Sequence, residues 1–153
     1  MTQNLNKEGL KSIIGNYDLF FIDLWGVVHN GVKLNLEAVN VLKEISDAKK
    51  DYVLLTNAPR PKKNVENFLE KMGLDQNKRD KVFTSGEAAL KFLKKNYFTQ
   101  SFYHIGPPRD FDLFTDFKNN KTDKIDKSDY LLCTGLFDGC DEDLNYYKDL
   151  LVN

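Results

Sequence analysis

Cysteine is scarce in this 153-residue chain, with only Cys133 and Cys140. Their spacing matches no zinc or redox motif, and two thiols make no disulfide framework. They read as free thiols in a reducing compartment. Long apolar runs are missing too: nothing approaches the roughly 20 residues of a membrane span. Met1 to Ile14 lacks the apolar centre of a signal peptide. The expectation is a cytoplasmic protein with no membrane partner. Neither sign of charge dominates, since 22 Lys and Arg face 23 Asp and Glu for a formal net charge of -1. No basic field therefore points to nucleic acid. The mixed-sign run Lys43 to Lys50 reads as a solvated helix face and Lys118 to Lys127 as a polar loop. Repeats and low-complexity tracts are also absent.

What is present is a 41% apolar content, suited to a packed globular fold, and a clear alternation of patterns. Leu10, Ile13 and Ile14 suggest a short amphipathic N-terminal helix. Tyr17 to Asp23 is a nearly continuous apolar run ending in a carboxylate, as in a strand buried on both faces of a parallel sheet. Gly26 and Gly31 bracket a loop. Asn35 is placed to cap a helix whose core stripe is Ala38, Val41, Leu42, Ile45 and Ala48. Tyr52 to Thr56 is a second strand. After Pro59 and Pro61 a helix buries Val65, Phe68, Leu69 and Met72 and stops at Gly73. Val82 to Thr84 is a third strand, and Ser85 caps a helix carrying Ala89, Phe92 and Leu93. Further on come a strand at Phe102 to Ile105, a short helix at Phe111 to Phe117, a strand at Tyr130 to Cys133 and a helix at Leu144 to Leu151. This order predicts an α/β fold, a Rossmann-like parallel sheet with helices on both faces and right-handed crossovers.

Ligands bind beyond the carboxyl ends of strands in such sheets. Three polar groups fall there: Asp23, Thr56 with Asn57, and Thr84 with Ser85. An aspartate ending Leu19-Phe20-Phe21-Ile22 is expected in a partly desolvated setting that calls for a cation. With a cation shielding an incoming phosphate it can act as a nucleophile toward phosphorus. By position alone it can equally be a turn aspartate before Gly26. Thr56 and Asn57 offer a hydroxyl and an amide to a phosphoryl oxygen, or simply start a turn.

The stretch Phe21-Ile22-Asp23-Leu24-Trp25-Gly26-Val27-Val28-His29-Asn30-Gly31 resembles motif I of the haloacid dehalogenase superfamily. Leu54-Leu55-Thr56-Asn57-Ala58-Pro59-Arg60 resembles its motif II. Phe83-Thr84-Ser85-Gly86-Glu87-Ala88-Ala89 is similar to the segment that follows in the class IIA branch, which includes sugar-phosphate and p-nitrophenyl phosphate phosphatases. Tyr103-His104-Ile105-Gly106 and Asp129-Tyr130-Leu131-Leu132 look like the start of that branch's α/β cap. The resemblance implies residues 1–97 as the N-terminal part of the core and 98–153 as the beginning of a truncated cap. It also implies Mg²⁺-dependent hydrolysis of a small phosphate monoester. Asp23 would be the nucleophile forming an aspartyl-phosphate. Thr56 and Asn57 would steady the phosphoryl group. The Asp23 carboxylate and the Trp25 backbone carbonyl would hold Mg²⁺.

Two departures accompany it. The family's phosphatases usually carry a second aspartate, the general acid and base, where this chain has Trp25. The family's downstream lysine and acidic metal pair find no match before Asn153, so the chain on its own is expected to be inactive. Rival readings are a silent protein binding a phosphorylated metabolite, a hydrolase whose leaving group needs no proton, and an unrelated flavodoxin-like binding domain. The expected partner is a small phosphorylated metabolite, with the cap offering a route to homo-oligomers. Among other residues, His29 is either a substitute acid or a packing histidine. His104 reads as structural, and Arg60 reads as an anion contact or a surface residue. Trp25 either stacks on substrate or fills the core beneath its loop. Phe111, Phe114 and Phe117 form a packing stripe. Glu87 and Glu142 are first-turn helix charges.

Overall fold

The computed structural model describes residues 9–139 and 143–152. Its contacts divide the chain into two compact units, Met1–Ala58 with Lys62–Ser85, and Pro59–Pro61 with Gly86–Asn153.

The first unit is built on a parallel sheet in the order β1-β2-β3, with β1 at Leu19–Asp23, β2 at Asp51–Thr56 and β3 at Val82–Thr84. Register pairs Phe20 with Tyr52, Ile22 with Leu54 and Leu54 with Val82, so these residues share one face. Helices α1 (Leu36–Asp47) and α2 (Lys62–Lys71) follow β1 and β2. They deliver Leu42, Ile45, Val65 and Leu69 to the core with Tyr52, Leu54 and Val82. Asn35 caps α1, its side chain accepting the Glu37 N–H at 3.2 Å, a contact worth about 1 kcal/mol. A one-turn helix, α3 (Gln76–Arg79), leads into β3.

The expected double burial of β1 is met on one face only. Phe20 and Ile22 pack against the core, while Leu19 is 45% and Phe21 66% exposed. The registers put Val53, Leu55 and Phe83 on this second face, where Phe83 is also exposed. Both α1 and α2 pack on the opposite face, and among the described residues of this unit no helix covers Phe21. Phe68 also departs from expectation. It is 42% exposed and sets its ring edge-on to His29 at 5.5 Å. At the N-terminus the predicted helix is two 3-10 turns, Leu10–Ser12 and Ile14–Asn16. Leu10 and Ile14 still pack against the core.

The second unit holds α4 (Ser85–Asn96) from Gly86 onward, and a parallel sheet in the order β5-β4-β6. Its strands are β4 (Phe102–Ile105), β5 (Lys121–Thr122) and β6 (Tyr130–Cys133). Between β4 and β5 runs a 3-10 segment, Pro108–Asn120, in place of the short helix read from Phe111 to Phe117. Phe114 and Phe117 are buried there with Leu93, Phe102 and Leu113. The side chain of Phe111 lies outside the described residues. A final helix, α5, spans Leu144–Val152. Cys140 and Glu142 lie outside the described residues, and Cys133 is an exposed free thiol. Among the described residues no helix is long and apolar enough to cross a membrane.

The asymmetry of the first sheet is measurable. Leu54→Ala, at a fully buried position, should cost about 3 kcal/mol in chemical denaturation. Phe21→Ala, on the open face, should cost less than about 0.5 kcal/mol.

Candidate active site

Asp23 ends β1 opposite Leu55 of β2. Thr56 and Asn57 are therefore the next residues along the neighbouring strand end, where adjacent strands run roughly 4.8 Å apart. Leu24 continues the pairing by donating its N–H to the Leu55 carbonyl at 3.1 Å. The Leu24 N–H also donates to Asp23 Oδ1 at 2.9 Å, which engages one carboxylate oxygen. The expected desolvation of Asp23 is not met. The residue is exposed because it lies on the open face with Leu19 and Phe21.

The loop after β1 is stitched by backbone bonds. Gly26 N–H donates to the His29 carbonyl at 2.7 Å, His29 N–H to the Leu24 carbonyl at 3.1 Å, and Asn35 N–H to the Val28 carbonyl at 2.8 Å. Asn30 Oδ1 accepts the N–H groups of Val32 and Lys33, both at 3.0 Å. Gly26 and Gly31 adopt positive φ, 80° and 89°, which L side chains rarely accept. Trp25 is 66% exposed on this loop, so it does not fill the core beneath it. Its backbone carbonyl accepts no backbone hydrogen bond among the described residues.

His29 is 6% exposed. Its Nδ1 accepts the Gly31 N–H at 3.0 Å, which places the ring proton on Nε2. Burial pushes its pKa below the ordinary value, against a smaller opposing pull from the Asp23 carboxylate. Protonating the ring would put a hydrogen on Nδ1, facing the Gly31 donor. The histidine is held neutral, as a loop-packing residue.

Thr56 Oγ1 accepts the Ala58 N–H at 3.2 Å, leaving its own hydrogen to donate. The Asn57 side chain is at an exposed position, while its carbonyl accepts from Ser85 Oγ at 2.8 Å. That hydroxyl also reaches the Ala58 carbonyl at 3.0 Å. Ser85 is thus the first helical residue and ties the β2 loop, rather than acting as a helix cap. Thr84 is fully buried and is removed from the candidates. Arg60 belongs to the second unit, with its guanidinium 4.0 Å from the buried Asp110 carboxylate. His104, 7% exposed, packs on Phe114 and hydrogen-bonds Thr134 through Nε2 at 2.9 Å. Glu87 lies in the first turn of α4. Ser85 is marked in the sequence as a strand-end residue, but its bonds to the Asn57 and Ala58 carbonyls, like those of Asp110 and Thr134 to Arg60 and His104, join residues far apart in the chain and no local pattern marks them.

Among the described residues no group of three His, Cys, Asp or Glu side chains is placed to hold a metal ion. One carboxylate, Asp23, and one open carbonyl, Trp25, are a hard oxygen pair. They fit a cation such as Mg²⁺ that takes its other positions from water and phosphate.

A model of the haloacid dehalogenase-like hydrolases matches residues 20–118. Phosphoglycolate phosphatase 2 of Arabidopsis thaliana is 26% identical over 95% of this chain and 54% of its own length. A haloacid dehalogenase-like hydrolase from Brucella suis superposes with a TM-score of 0.77 at 29% identity, over 94% of this chain and 54% of that one. A 4-nitrophenylphosphatase from Thermotoga maritima gives 0.62 at 22% identity, over 89% and 49%. The chain thus spans about half the length of the relatives it matches.

Both histidines, His29 and His104, have pKa values lowered chiefly by burial. The unfolded chain then binds more protons than the folded one as pH falls through their ordinary value near 6.5. Stability should be full above that pH and decline below it. Thermal melts between pH 8 and pH 5 should show this loss, and a His29→Gln, His104→Gln double variant should be flatter across the window.

Proposed function

The chain belongs to the haloacid dehalogenase-like hydrolases, and from that premise we propose that it carries the nucleophile of a Mg²⁺-dependent phosphohydrolase acting on a small phosphate monoester. The observation that supports this reading is the register of β1 and β2, which pairs Asp23 with Leu55 and so brings Asp23 and the next residues of the β2 chain, Thr56 and Asn57, to the same end of the sheet. Asp23 Oδ2 attacks phosphorus, since Oδ1 is engaged by the Leu24 N–H. A P–O bond forms to the carboxylate, the bond to the leaving oxygen breaks, and that oxygen departs with the bonding pair. Water then cleaves the aspartyl-phosphate and regenerates Asp23. The Thr56 hydroxyl and the Asn57 amide donate to the non-bridging oxygens as charge builds on them. Mg²⁺ held by the Asp23 carboxylate and the Trp25 carbonyl would shield the anionic phosphate from the anionic nucleophile. Asp23 alone does not complete such a site, and the chain of 153 residues by itself is inactive in this reading.

In the full-length gene product, Asp23→Asn should lower kcat by about 10³-fold or more, because an amide is a poor nucleophile. It should also weaken Mg²⁺ binding, and acid-quench trapping should lose the acyl-phosphate. Retention of more than a few per cent of wild-type turnover would sink the assignment.

Trp25 and His29 narrow the substrate. An indole supplies no proton of suitable acidity, and His29 is neutral with Nδ1 already accepting. The loop also exposes apolar Trp25, Val27 and Val32. This favours an aryl phosphate, whose leaving group departs without protonation, over an alkyl one. Trp25→Asp should raise kcat/KM for alkyl phosphates by up to about 10²-fold while changing aryl phosphates little, and His29→Gln should leave the ratio unchanged. Equal wild-type rates on both substrate types, unmoved by Trp25→Asp, would place the proton donor elsewhere. No turnover in either protein would favour the second reading that Trp25 suggests, a silent protein that binds a phosphorylated metabolite.

A further inference from the structure

We propose that Ser85 is a positioning residue for phosphoryl transfer, acting through the Asn57–Ala58 peptide on the Thr56 hydroxyl. The inference rests on the phosphohydrolase reading above and deepens it at the Thr56 end of the site.

Strand β2 ends at Thr56, and the chain runs on through Asn57 and Ala58 without regular structure. Neither the Asn57 nor the Ala58 carbonyl accepts a backbone hydrogen bond among the described residues. Both turn instead to one side chain. Ser85 Oγ stands 2.8 Å from the Asn57 oxygen and 3.0 Å from the Ala58 oxygen. A hydroxyl carries a single hydrogen, so the two carbonyls share it. Ser85 therefore has no proton left for a substrate, and its contribution goes through the loop it holds.

The Asn57 carbonyl and the Ala58 N–H belong to the same peptide. That peptide is trans, so the two groups point in opposite directions across a rigid plane. With the carbonyl held at Ser85, the N–H is turned to the other side, where it donates to Thr56 Oγ1 at 3.2 Å. This bond takes up a lone pair of Thr56 and leaves its hydrogen unspent. The reverse orientation of the plane would present the Asn57 carbonyl to Thr56. The hydroxyl would then donate to that carbonyl and be lost to a phosphoryl oxygen.

The rest of the loop has less freedom. Pro59 narrows Ala58 to extended conformations, and the Ala58–Pro59 peptide has no N–H to compete for Thr56. Further along, within the second unit, the Arg60 backbone runs against the buried Gly86, where a Cβ would stand 2.5 Å from the Arg60 carbonyl oxygen. Proline and packing fix the path of the loop, and Ser85 fixes the plane of one peptide in it. Ser85 is exposed, so in a Ser85→Ala variant water replaces the hydroxyl and the fold survives. What that variant loses is the direction of the peptide.

Two measurements test this. In the 153-residue chain, hydrogen exchange of the Ala58 amide, followed by NMR, should quicken about tenfold in Ser85→Ala and stay near wild type in Ser85→Thr, which keeps the hydroxyl. In the full-length gene product, hydrolysis of 4-nitrophenyl phosphate reads the catalytic consequence. Thr56→Val should lower kcat by about 10²-fold, the scale of losing one transition-state donor. Ser85→Ala should lower kcat about tenfold with KM little changed, the pattern of an interaction made in the transition state, and Ser85→Thr should restore most of the lost rate. In a Thr56→Val background, Ser85→Ala should cost less than about twofold more, because the group it acts through is gone. Losses that multiply across the two positions, an unchanged kcat in Ser85→Ala, no rescue by Ser85→Thr, or unchanged Ala58 exchange each overturn the proposal. Asp23→Asn separates this proposal from the reading beneath it. Retained turnover in Asp23→Asn, or none in the wild type, sinks both, whereas a dead Asp23→Asn with multiplying losses at Thr56 and Ser85 removes only the positioning role.

Discussion

The candidate site depends on the parallel register of β1 and β2. Side chains alternate between faces with a period of two, so a slip of one residue would turn Asp23 toward the core and Ile22 outward. The packed face resists that slip, because Phe20, Ile22, Tyr52 and Leu54 would all lose their burial against α1 and α2. The energy that holds the carboxylate at the strand end is thus hydrophobic, and it is supplied by residues that never meet a substrate. Bonds beyond the strand extend this order into the loop, from Leu24 to Leu55 and from His29 to Leu24. They fix Trp25 two residues from Asp23 without burying it.

Much of this could be read along the chain. Apolar runs closed by a carboxylate, by Thr-Asn or by Thr-Ser gave all three strand ends of the first sheet, and Asn35 announced its own helix. What could not be read was which face of a strand is covered. Leu19-Phe20-Phe21-Ile22 is apolar at every position, so its pattern is the same whether one face packs or both do. The strand β5 was likewise invisible: two residues, Lys121 and Thr122, carry no periodicity. Phe68 read as core by its helical spacing, yet it serves as the edge-on neighbour of His29, a contact between elements that spacing along one helix cannot encode.

The site residues divide along the same line. Positions at strand ends were legible because sheet topology alone puts them together. The states of those residues were not. The environment of Asp23 depends on the uncovered face. The tautomer of His29 depends on the Gly31 N–H that donates to its Nδ1. Arg60, next to the Thr-Asn pair in sequence, has its guanidinium 4.0 Å from the Asp110 carboxylate within the other unit, a contact that proximity along the chain does not reveal.

Taken together, Trp25 and His29 define a constraint on the chemistry rather than a gap in it. A carboxylate nucleophile needs no base to activate it, so the first half of a phosphoryl transfer requires only a cation and donors for the equatorial oxygens. The proton enters the balance at the leaving oxygen. A poor alkoxide leaving group demands it and a phenolate does not. With an indole two residues after Asp23, the proposed nucleophile, and the His29 Nδ1 engaged as an acceptor, the loop itself provides none. It exposes the apolar Trp25, Val27 and Val32, and an aryl ring is also the kind of leaving group that departs as a stable anion. In the proposed reading, the residue that stands in place of the acid also offers a surface to substrates that do without one, so the loop's shape and its chemistry would select in the same direction.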